Sequence, residues 1–152
     1  MSRSQRKEDD PDLGILAGNI LFGVQREMFR SLAEQGHPEL RPRHGAVLAY
    51  LDENGSRATD LARQSGQHKQ VIGTLVDELV ALGYLRREPD PNDRRAKLIL
   101  PTERGLDEMR RGDQIMAEIE ARHRAEVGEQ EYAAFKRCMT RIARLHRSSA
   151  ED

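Results

Sequence analysis

Apolar residues recur every three or four positions in the first third of the chain, which is the spacing of one helix face. Within residues 12–39 this stripe consists of Leu13, Leu16, Ile20, Val24, Met28 and Leu32. Asp12 stands where a capping side chain is expected, and Gly36 followed by Pro38 predicts the end of the helix. Residues 1–11 lack the stripe and are predicted to be a disordered, charged tail.

A second helix is predicted to begin near Pro42, because the missing N–H of proline needs no partner in a first helical turn. It closes at Asn54–Gly55, and Ser56–Ala58 is long enough for only a single bridging strand. The apolar positions of its inner face are Val47, Leu48 and Leu51.

Two further helices separated by a glycine predict a helix-turn-helix. Thr59 is expected to cap the short first helix, and Gly66 ends it. The second helix then runs from Gln67 or His68 and ends at Gly83. Its inward positions are Ile72, Leu75, Val76, Leu79 and Val80.

Strand-like segments replace the helical spacing after Gly83. Strands Tyr84–Glu88 and Lys97–Leu100 flank the segment PDPNDRR, whose prolines and asparagine favour a hairpin loop. Thr102 is expected to cap a helix that extends to about Val127 and carries an apolar stripe of Leu106, Met109, Met116 and Ile119. After Gly128 a last helix carries Tyr132, Phe135, Met139, Ile142 and Leu145.

This order predicts a mainly α fold with a small antiparallel β wing. The expected parts are a tail (1–11), an N-terminal helix (12–39), a winged helix-turn-helix core (40–101), C-terminal helices (102–147) and a second tail (148–152). Only 4% of the residues are aromatic, which argues against an all-β sandwich, and 34% are charged. No apolar run is long enough to span a membrane, and one cysteine excludes an intramolecular disulfide, so a cytoplasmic protein without a membrane partner is expected.

The segment LVDELVALGYLRREPDPNDRRAKLILPTERG resembles the MarR family of transcription regulators. The family pattern is a helix ending in Leu-x-x-x-Gly, an Asp-Pro-x-Asp-x-Arg wing between two strands, and Thr-x-x-Gly. The matching positions are Leu79 and Gly83, then Asp90, Pro91, Asp93 and Arg95, then Thr102 and Gly105. Two departures are Pro101, where leucine is usual, and Gln67–His68, where a serine cap is more usual.

The resemblance implies a homodimeric, sequence-specific DNA-binding regulator. The expected function is repression at a palindromic operator, with the recognition helix in the major groove, the wing in the minor groove, and a small-molecule effector able to lower DNA affinity. No cofactor, metal or enzymatic activity is expected. The net charge of −1 does not by itself indicate a nucleic-acid partner, so the distribution of charge has to carry that prediction.

The outward start of the predicted recognition helix supplies the candidate base contacts. Glutamine can read adenine, lysine can reach guanine or phosphate, and threonine can contact a thymine methyl group. Gly73 costs roughly 1 kcal/mol inside a helix relative to alanine, which either close approach to DNA or packing on a neighbouring helix would explain. An ordinary solvated face is the alternative for the polar positions. The candidates are Gln67, His68, Lys69, Gln70, Gly73 and Thr74.

The predicted wing supplies a second set of DNA contacts. The resemblance assigns Arg95 to the minor groove, and narrow A·T-rich grooves attract an inserted guanidinium. Asp93 is expected to pair with an arginine and hold the shape of the loop. The alternative is a solvated turn in which the Asp and Arg charges merely neutralise each other. The wing candidates are Asp93, Arg94, Arg95 and Lys97, and Arg57 and Arg87 are candidates for the DNA backbone.

The resemblance also places dimerisation in the terminal helices of two subunits. The candidate residues are Leu13, Leu16, Tyr132, Phe135, Met139, Ile142 and Leu145. On a small monomer the C-terminal stripe would be an exposed apolar patch. A twofold dimer sets its recognition helices about 34 Å apart, which predicts the palindrome.

Two other functions are compatible with parts of the sequence. Glu120-x-x-His123 has the i, i+3 spacing of di-iron bundles, but a helical metal-dependent oxidase needs that motif twice. A winged helix can also serve protein contacts alone. Cys138 is interpreted as a buried structural thiol in preference to a redox sensor. His44 is a candidate for an effector pocket, and a packing histidine is the alternative.

Overall fold

A computed structural model describes residues 1–148, and the chain divides into two compact units, Met1–Pro42 and a second unit that begins at Arg43. The fold is mainly helical with one two-stranded antiparallel sheet, as predicted. The predicted tail 148–152 lies, apart from Ser148 at the end of the last helix, outside the described residues. No helix within residues 1–148 is both long and apolar enough to cross a membrane.

The first unit holds helices α1 (Arg3–Asp9) and α2 (Leu13–Glu34). Residues 1–11 were predicted to be disordered, and the structure differs because α1 has its own capping box. The Gln5 N–H donates to Ser2 Oγ (3.1 Å) and the Ser2 N–H donates to Gln5 Oε1 (2.8 Å). Asp12 caps α2 as predicted, accepting from the Ile15 N–H at 3.0 Å. Lys7 and that N–H lower the pKa of the Asp12 carboxyl.

A 3-10 turn (Pro42–His44) spans the chain boundary between the units, and the second unit continues with helices α3 (Gly45–Leu48), α4 (Ala58–Ser65) and α5 (Lys69–Ala81). Gly66 ends α4 with φ at 72°, a left-handed conformation that favours glycine. The prediction that Thr59 caps α4 is wrong. Ser56 is bridged to Ile99 in both directions at 2.9 Å, so the extended chain continues to Arg57 and the helix starts directly after it.

Strands β1 (Leu85–Asp90) and β2 (Asp93–Pro101) form the wing and are longer than predicted. Leu85 pairs with Pro101 and Pro89 with Lys97, but Asp90 then pairs with Asp93. Three residues of β2, Arg94 to Ala96, are therefore accommodated in a bulge. Most of the segment predicted to be a loop thus belongs to the strands.

The core of the second unit is formed by the inner faces of α3–α5, the base of the hairpin and part of α6. The residues with the least exposed side chains include Val47, Leu61, Ile72, Val76, Leu79, Tyr84 and Leu85. Val80, predicted to be inward, is half-buried. The helical phase read from the sequence is therefore confirmed for the helix-turn-helix.

Helices α6 (Glu103–Val127) and α7 (Glu129–Ser148) follow the wing at the predicted positions. On α6 the buried apolar residues are Ile115 and Ile119, whereas Leu106, Met109 and Met116 are only half-buried. Cys138, predicted to be buried, is exposed. The reason is that α7 packs on α6 mainly through its first turn, where Tyr132 is buried.

The first turn of α6 is fastened to the base of the wing. The Thr102 N–H donates to the Tyr84 carbonyl (2.9 Å), and the Thr102 hydroxyl donates to the Gly83 carbonyl (2.6 Å) and accepts from the Gly105 N–H (3.2 Å). A Cβ at Gly105 would lie 2.2 Å from the Tyr84 carbonyl oxygen. The Thr-x-x-Gly spacing is therefore explained by a cap followed by a backbone contact.

A carboxyl group is buried on the same helix. Glu108 is 6% exposed, and its Oε2 has no hydrogen-bond partner among the described residues. Its Oε1 would lie 3.3 Å from a Cβ at Gly112, so the absent side chain there makes room for it. Burial, and secondarily the charge of Asp113, raise the pKa of Glu108 from 4.5 to about 7.

We expect Gly105→Ala to lower the free energy of unfolding by about 1–3 kcal/mol, because the helix start and the Tyr84 backbone must separate. Gly73→Ala is the matched control, since nothing lies within 4 Å of a Cβ at Gly73 and alanine favours a helix by about 1 kcal/mol. Chemical denaturation measures both. Equal changes for the two variants would contradict the close contact at Gly105.

Glu108→Gln should remove a pH-dependent loss of stability. Because the raised pKa means that the folded state holds the proton more tightly, wild-type stability is full below pH 4.5 and falls as the pH rises to about 7. At about 1.4 kcal/mol per pKa unit, the variant should gain roughly 2–3 kcal/mol over wild type between pH 5 and pH 8. Denaturation at both pH values tests this, with exposed Glu126→Gln as control. Parallel pH profiles for wild type and Glu108→Gln would refute it.

Candidate nucleic-acid interface

Helix α5 presents its polar start to solvent, as predicted for a recognition helix. His68 occupies the cap position, and its side chain makes no capping hydrogen bond. Gln67, His68, Lys69 and Gln70 are all exposed. The departure from a serine cap therefore leaves the first turn of α5 without a side-chain acceptor of its own.

Thr74 and Gly73 continue this outward surface. The Thr74 hydroxyl donates to the Gln70 carbonyl at 3.2 Å, while the residue stays exposed. Gly73 is half-buried, and a Cβ placed on it would have no atom within 4 Å. Packing on a neighbouring helix of this chain therefore does not explain the glycine, and the surface is open to an approaching partner at that point.

The outward face also contains an acid that was not among the predicted site residues. Asp77 follows Gln70 by seven residues and Thr74 by three, which places it on the same line along the helix. Its side chain is 70% exposed. The signal that could have identified it is its distance of two helical turns from Gln70.

The tip of the wing is shaped by two aspartates. The Asn92 N–H donates to Asp90 Oδ1 at 2.9 Å, and the Arg95 N–H donates to Asp93 Oδ1 at 3.0 Å. These bonds fix the turn and the start of the bulge. Because Asp93 accepts from the backbone of the bulge itself, it orders the segment that carries Arg94 and Arg95.

Asp93 was expected to pair with an arginine, but the aspartate of the wing tip that forms an ion pair among the described residues is Asp90. Arg57 Nε donates to Asp90 Oδ2 at 2.7 Å, and Asp90 is 5% exposed. The Asn92 N–H and the Arg57 guanidinium lower the pKa of Asp90, and the same carboxylate raises the pKa of Arg57. Arg57, a candidate for the DNA backbone, thus ties the start of α4 to the wing, with 38% of its side chain still exposed.

Arg87, the other backbone candidate, also has an acidic partner. Its Nη2 lies 2.5 Å from Asp77 Oδ1, which connects β1 to the outward face of α5. The remaining candidate cations differ from these two arginines. Within residues 1–148, the side chains of Lys69, Arg94, Arg95 and Lys97 are exposed and form no ion pair.

His44 is buried at 1% exposure, and its Nε2 lies 2.8 Å from Glu78 Oε2. Arg43 Nε donates to the same oxygen at 3.0 Å. The two partners, His44 first, lower the pKa of Glu78. The ring of His44 therefore packs inside the helix-turn-helix. This favours the interpretation of His44 as a packing histidine over its interpretation as an effector contact.

Glu120 and His123, the candidates for a metal site, lie in the contact between α6 and α7. Glu120 accepts from the Tyr132 hydroxyl and from Lys136 Nζ, both at 2.6 Å. Burial and Glu120 raise the pKa of Tyr132 to about 12. Across the described residues, no three His, Cys, Asp or Glu side chains are grouped for a metal ion. Glu120 therefore serves helix packing.

Comparison with known proteins agrees with this geometry. The MarR family profile matches residues 39–96, which span the helix-turn-helix and the wing tip. The uncharacterized HTH-type transcriptional regulator YcgE of Bacillus subtilis (strain 168) is 42% identical over 52 residues, which is 34% of this chain and 34% of that protein. The aligned region thus covers about a third of this curated relative.

Solved structures extend the similarity over most of the chain. A MarR-family transcriptional regulator from Rhodococcus sp. RHA1 is 25% identical with a TM-score of 0.69, covering 87% of this chain and 94% of the other. The transcriptional repressor CouR, solved on a 23-mer DNA duplex, is 24% identical with a TM-score of 0.73, covering 91% and 96%. The winged helix-turn-helix segment of this chain therefore matches the MarR family profile, and most of the chain shares its fold with the MarR-family regulator from Rhodococcus.

Proposed function

We propose that this chain is a DNA-binding transcription regulator that reads a duplex with α5 in the major groove and the wing in the minor groove. One observation carries the proposal: the cations at the wing tip and at the start of α5 are exposed and unpaired, whereas Arg57 and Arg87 behind them hold acids. Cations without acidic partners on two neighbouring elements, the wing tip and the start of α5, can bind the phosphates of a polyanion such as DNA. The DNA duplex in the CouR structure supports the same assignment.

The wing tip is suited to a groove because its shape is fixed before DNA arrives. Asp90 and Asp93 hold the turn and the bulge through backbone N–H groups, so inserting Arg95 requires little further ordering. The bulge directs the segment away from the regular hairpin. This geometry is easier to explain by groove insertion than by a solvated turn.

The regulator acts as a homodimer in this proposal. Phe135, Met139 and Ile142 on α7 are each more than 40% exposed, and Leu145 is 68% exposed. On α2, Leu13 and Leu16 are likewise exposed, at 66% and 46%. Tyr132 differs from the other candidates, because it is already buried within its own chain. A second copy covering these helices would remove from water the apolar area that a monomer leaves exposed.

Repression is the proposed outcome of binding, with a palindromic operator that follows from the twofold symmetry. A small effector would relieve repression by favouring a dimer whose recognition helices are wrongly spaced. The alternative of a winged helix used for protein contacts alone is disfavoured by the unpaired cations. The oxidase alternative is disfavoured by the hydrogen bonds that occupy Glu120.

DNA binding is tested by selecting duplexes from a random pool and titrating the recovered sequence at several salt concentrations. The expected result is two inverted half-sites about 10 base pairs apart, with log affinity falling linearly with log salt concentration. Failure to enrich any duplex, or an affinity independent of salt, would overturn the proposal in favour of protein contacts.

Arg95→Ala should weaken binding to the recovered duplex by about 1–3 kcal/mol, because one minor-groove guanidinium is lost from each subunit. Its melting temperature should equal that of wild type, since the Arg95 side chain makes no ion pair among the described residues. Arg110→Ala is the control, an arginine of α6 that is 68% exposed. Equal weakening by the two variants would remove the specific role of Arg95.

Ile142→Asp is expected to shift the protein from dimer to monomer in sedimentation at micromolar concentration, because a carboxylate would be buried in the interface. The helix should persist in circular dichroism, since the Ile142 side chain is 43% exposed within its own chain. Ala133→Asp adds the same charge on the opposite face of α7 and should leave the dimer intact. A dimer unaffected by Ile142→Asp would place the interface elsewhere.

A further inference from the structure

Asp77 is not used by any of the DNA contacts proposed above, although it lies in the middle of the outward face of α5. It shares one helical line with Gln70 and Thr74, and 70% of its side chain is exposed. A carboxylate at this position faces the polyanion that the same surface is proposed to bind. Its presence therefore needs a reason connected with recognition.

A contribution of the Asp77–Arg87 ion pair to folding stability does not explain why a carboxylate lies at this position. The pair is short, 2.5 Å, but both side chains are substantially exposed, at 38% and 70%. Pairs of this kind contribute little to folding. Residues on the opposite face of α5, among them Leu75 and Leu79, are buried in the core and hold the helix without it.

The position of the pair, however, is at the boundary between the two DNA-contacting elements. Arg87 belongs to β1 and Asp77 to α5, so the guanidinium lies between the wing and the recognition helix. When a helix fills the major groove and a wing fills the adjacent minor groove, the phosphate strand that separates the grooves passes between them. A phosphate and Asp77 would then compete for one guanidinium.

We propose that Asp77 is a specificity-determining residue that exchanges Arg87 for the amino group of a cytosine. The inference rests on the proposed DNA-binding function. On a correct site the Arg87 guanidinium moves to a phosphate, and the Asp77 carboxylate accepts a hydrogen bond from cytosine N4. On a site that presents only guanine or thymine acceptors there, the carboxylate is left without a donor, or it retains Arg87 and the phosphate contact is lost.

Asp77 therefore discriminates mainly by penalising wrong sequences, and it does so at one base pair of each half-site. Removing it should release Arg87 to bind phosphate on any duplex. Affinity for unrelated DNA rises and the preference for the cytosine disappears. A residue that merely stabilised the fold would do neither.

The test measures binding of wild type and Asp77→Ala to the selected duplex, to every single base-pair substitution of its half-site, and to a scrambled duplex. Wild type should lose about fivefold to a hundredfold when one particular C·G pair is replaced. Asp77→Ala should lose that preference alone, keep the others, and bind the scrambled duplex roughly threefold more tightly at low salt. Equal melting temperatures verify the fold of the variant.

Asp60→Ala is the matched control, because the Asp60 side chain is 51% exposed and also forms an ion pair, with its Oδ1 3.2 Å from Arg63 Nη2, but it lies on α4. It should leave every base preference unchanged. Arg87→Ala should weaken binding to the selected duplex and reduce its salt slope by about one. Its effect should be smaller on the duplex in which the C·G pair is replaced, because Asp77 retains Arg87 there. If Asp77→Ala alters affinity by one factor at every base pair, the inference is overturned while the proposed function stands. A wild type that binds no duplex would overturn both.

Discussion

The contact between Thr102 and the Gly83–Tyr84 backbone is the constraint on which the winged helix-turn-helix of this chain depends. It joins the end of α5, the two strands of the wing and the start of α6 at one point. Gly105 permits the contact, and Arg104 strengthens it by donating to the Leu82 carbonyl at 2.7 Å and lying over the Tyr84 ring. Helix α5, the wing and the first turn of α6 therefore form one hydrogen-bonded body.

The arginine and lysine side chains of this body fall into two groups, those that form ion pairs within the chain and those that are exposed and form none within residues 1–148. Arg57 and Arg87 hold Asp90 and Asp77, and through them they link α4 to the wing and the wing to α5. Arg94, Arg95 and Lys97 lie beyond these pairs and have none of their own within residues 1–148. A net charge of −1 conceals this arrangement, since acids elsewhere in the chain balance the sum. The local pairing pattern, and not the total, is what supports a DNA partner.

The sequence was sufficient to predict the elements whose signals are local. The periodicity of Ile72, Leu75, Val76 and Leu79 and the glycines at 66 and 83 define α5 without tertiary information. The features that were missed depend on distant partners. Thr59 does not cap α4 because the extended chain bridged at Ser56 to Ile99 continues to Arg57. Asp90, and not Asp93, pairs with an arginine because folding brings Arg57 from the start of α4 to the wing.

Exposure was the property least accessible to sequence reasoning. Cys138 was interpreted as a buried thiol, yet it is exposed because little of α7 beyond its first turn is covered within its own chain. Asp77 was not among the predicted site residues for a related reason, since its ion pair with Arg87 forms only when folding brings α5 and β1 together. Both cases concern exposed surfaces, and the proposed dimer and DNA contacts would cover them.

The most direct measurement of the central claim is methylation protection on the selected duplex, because dimethyl sulfate modifies guanine N7 in the major groove and adenine N3 in the minor groove. If α5 and the wing are one body, wild-type protein should protect a major-groove segment and the adjoining minor groove together, in two copies related by the symmetry of the site. Protection of one groove without the other, at any protein concentration, would contradict the account.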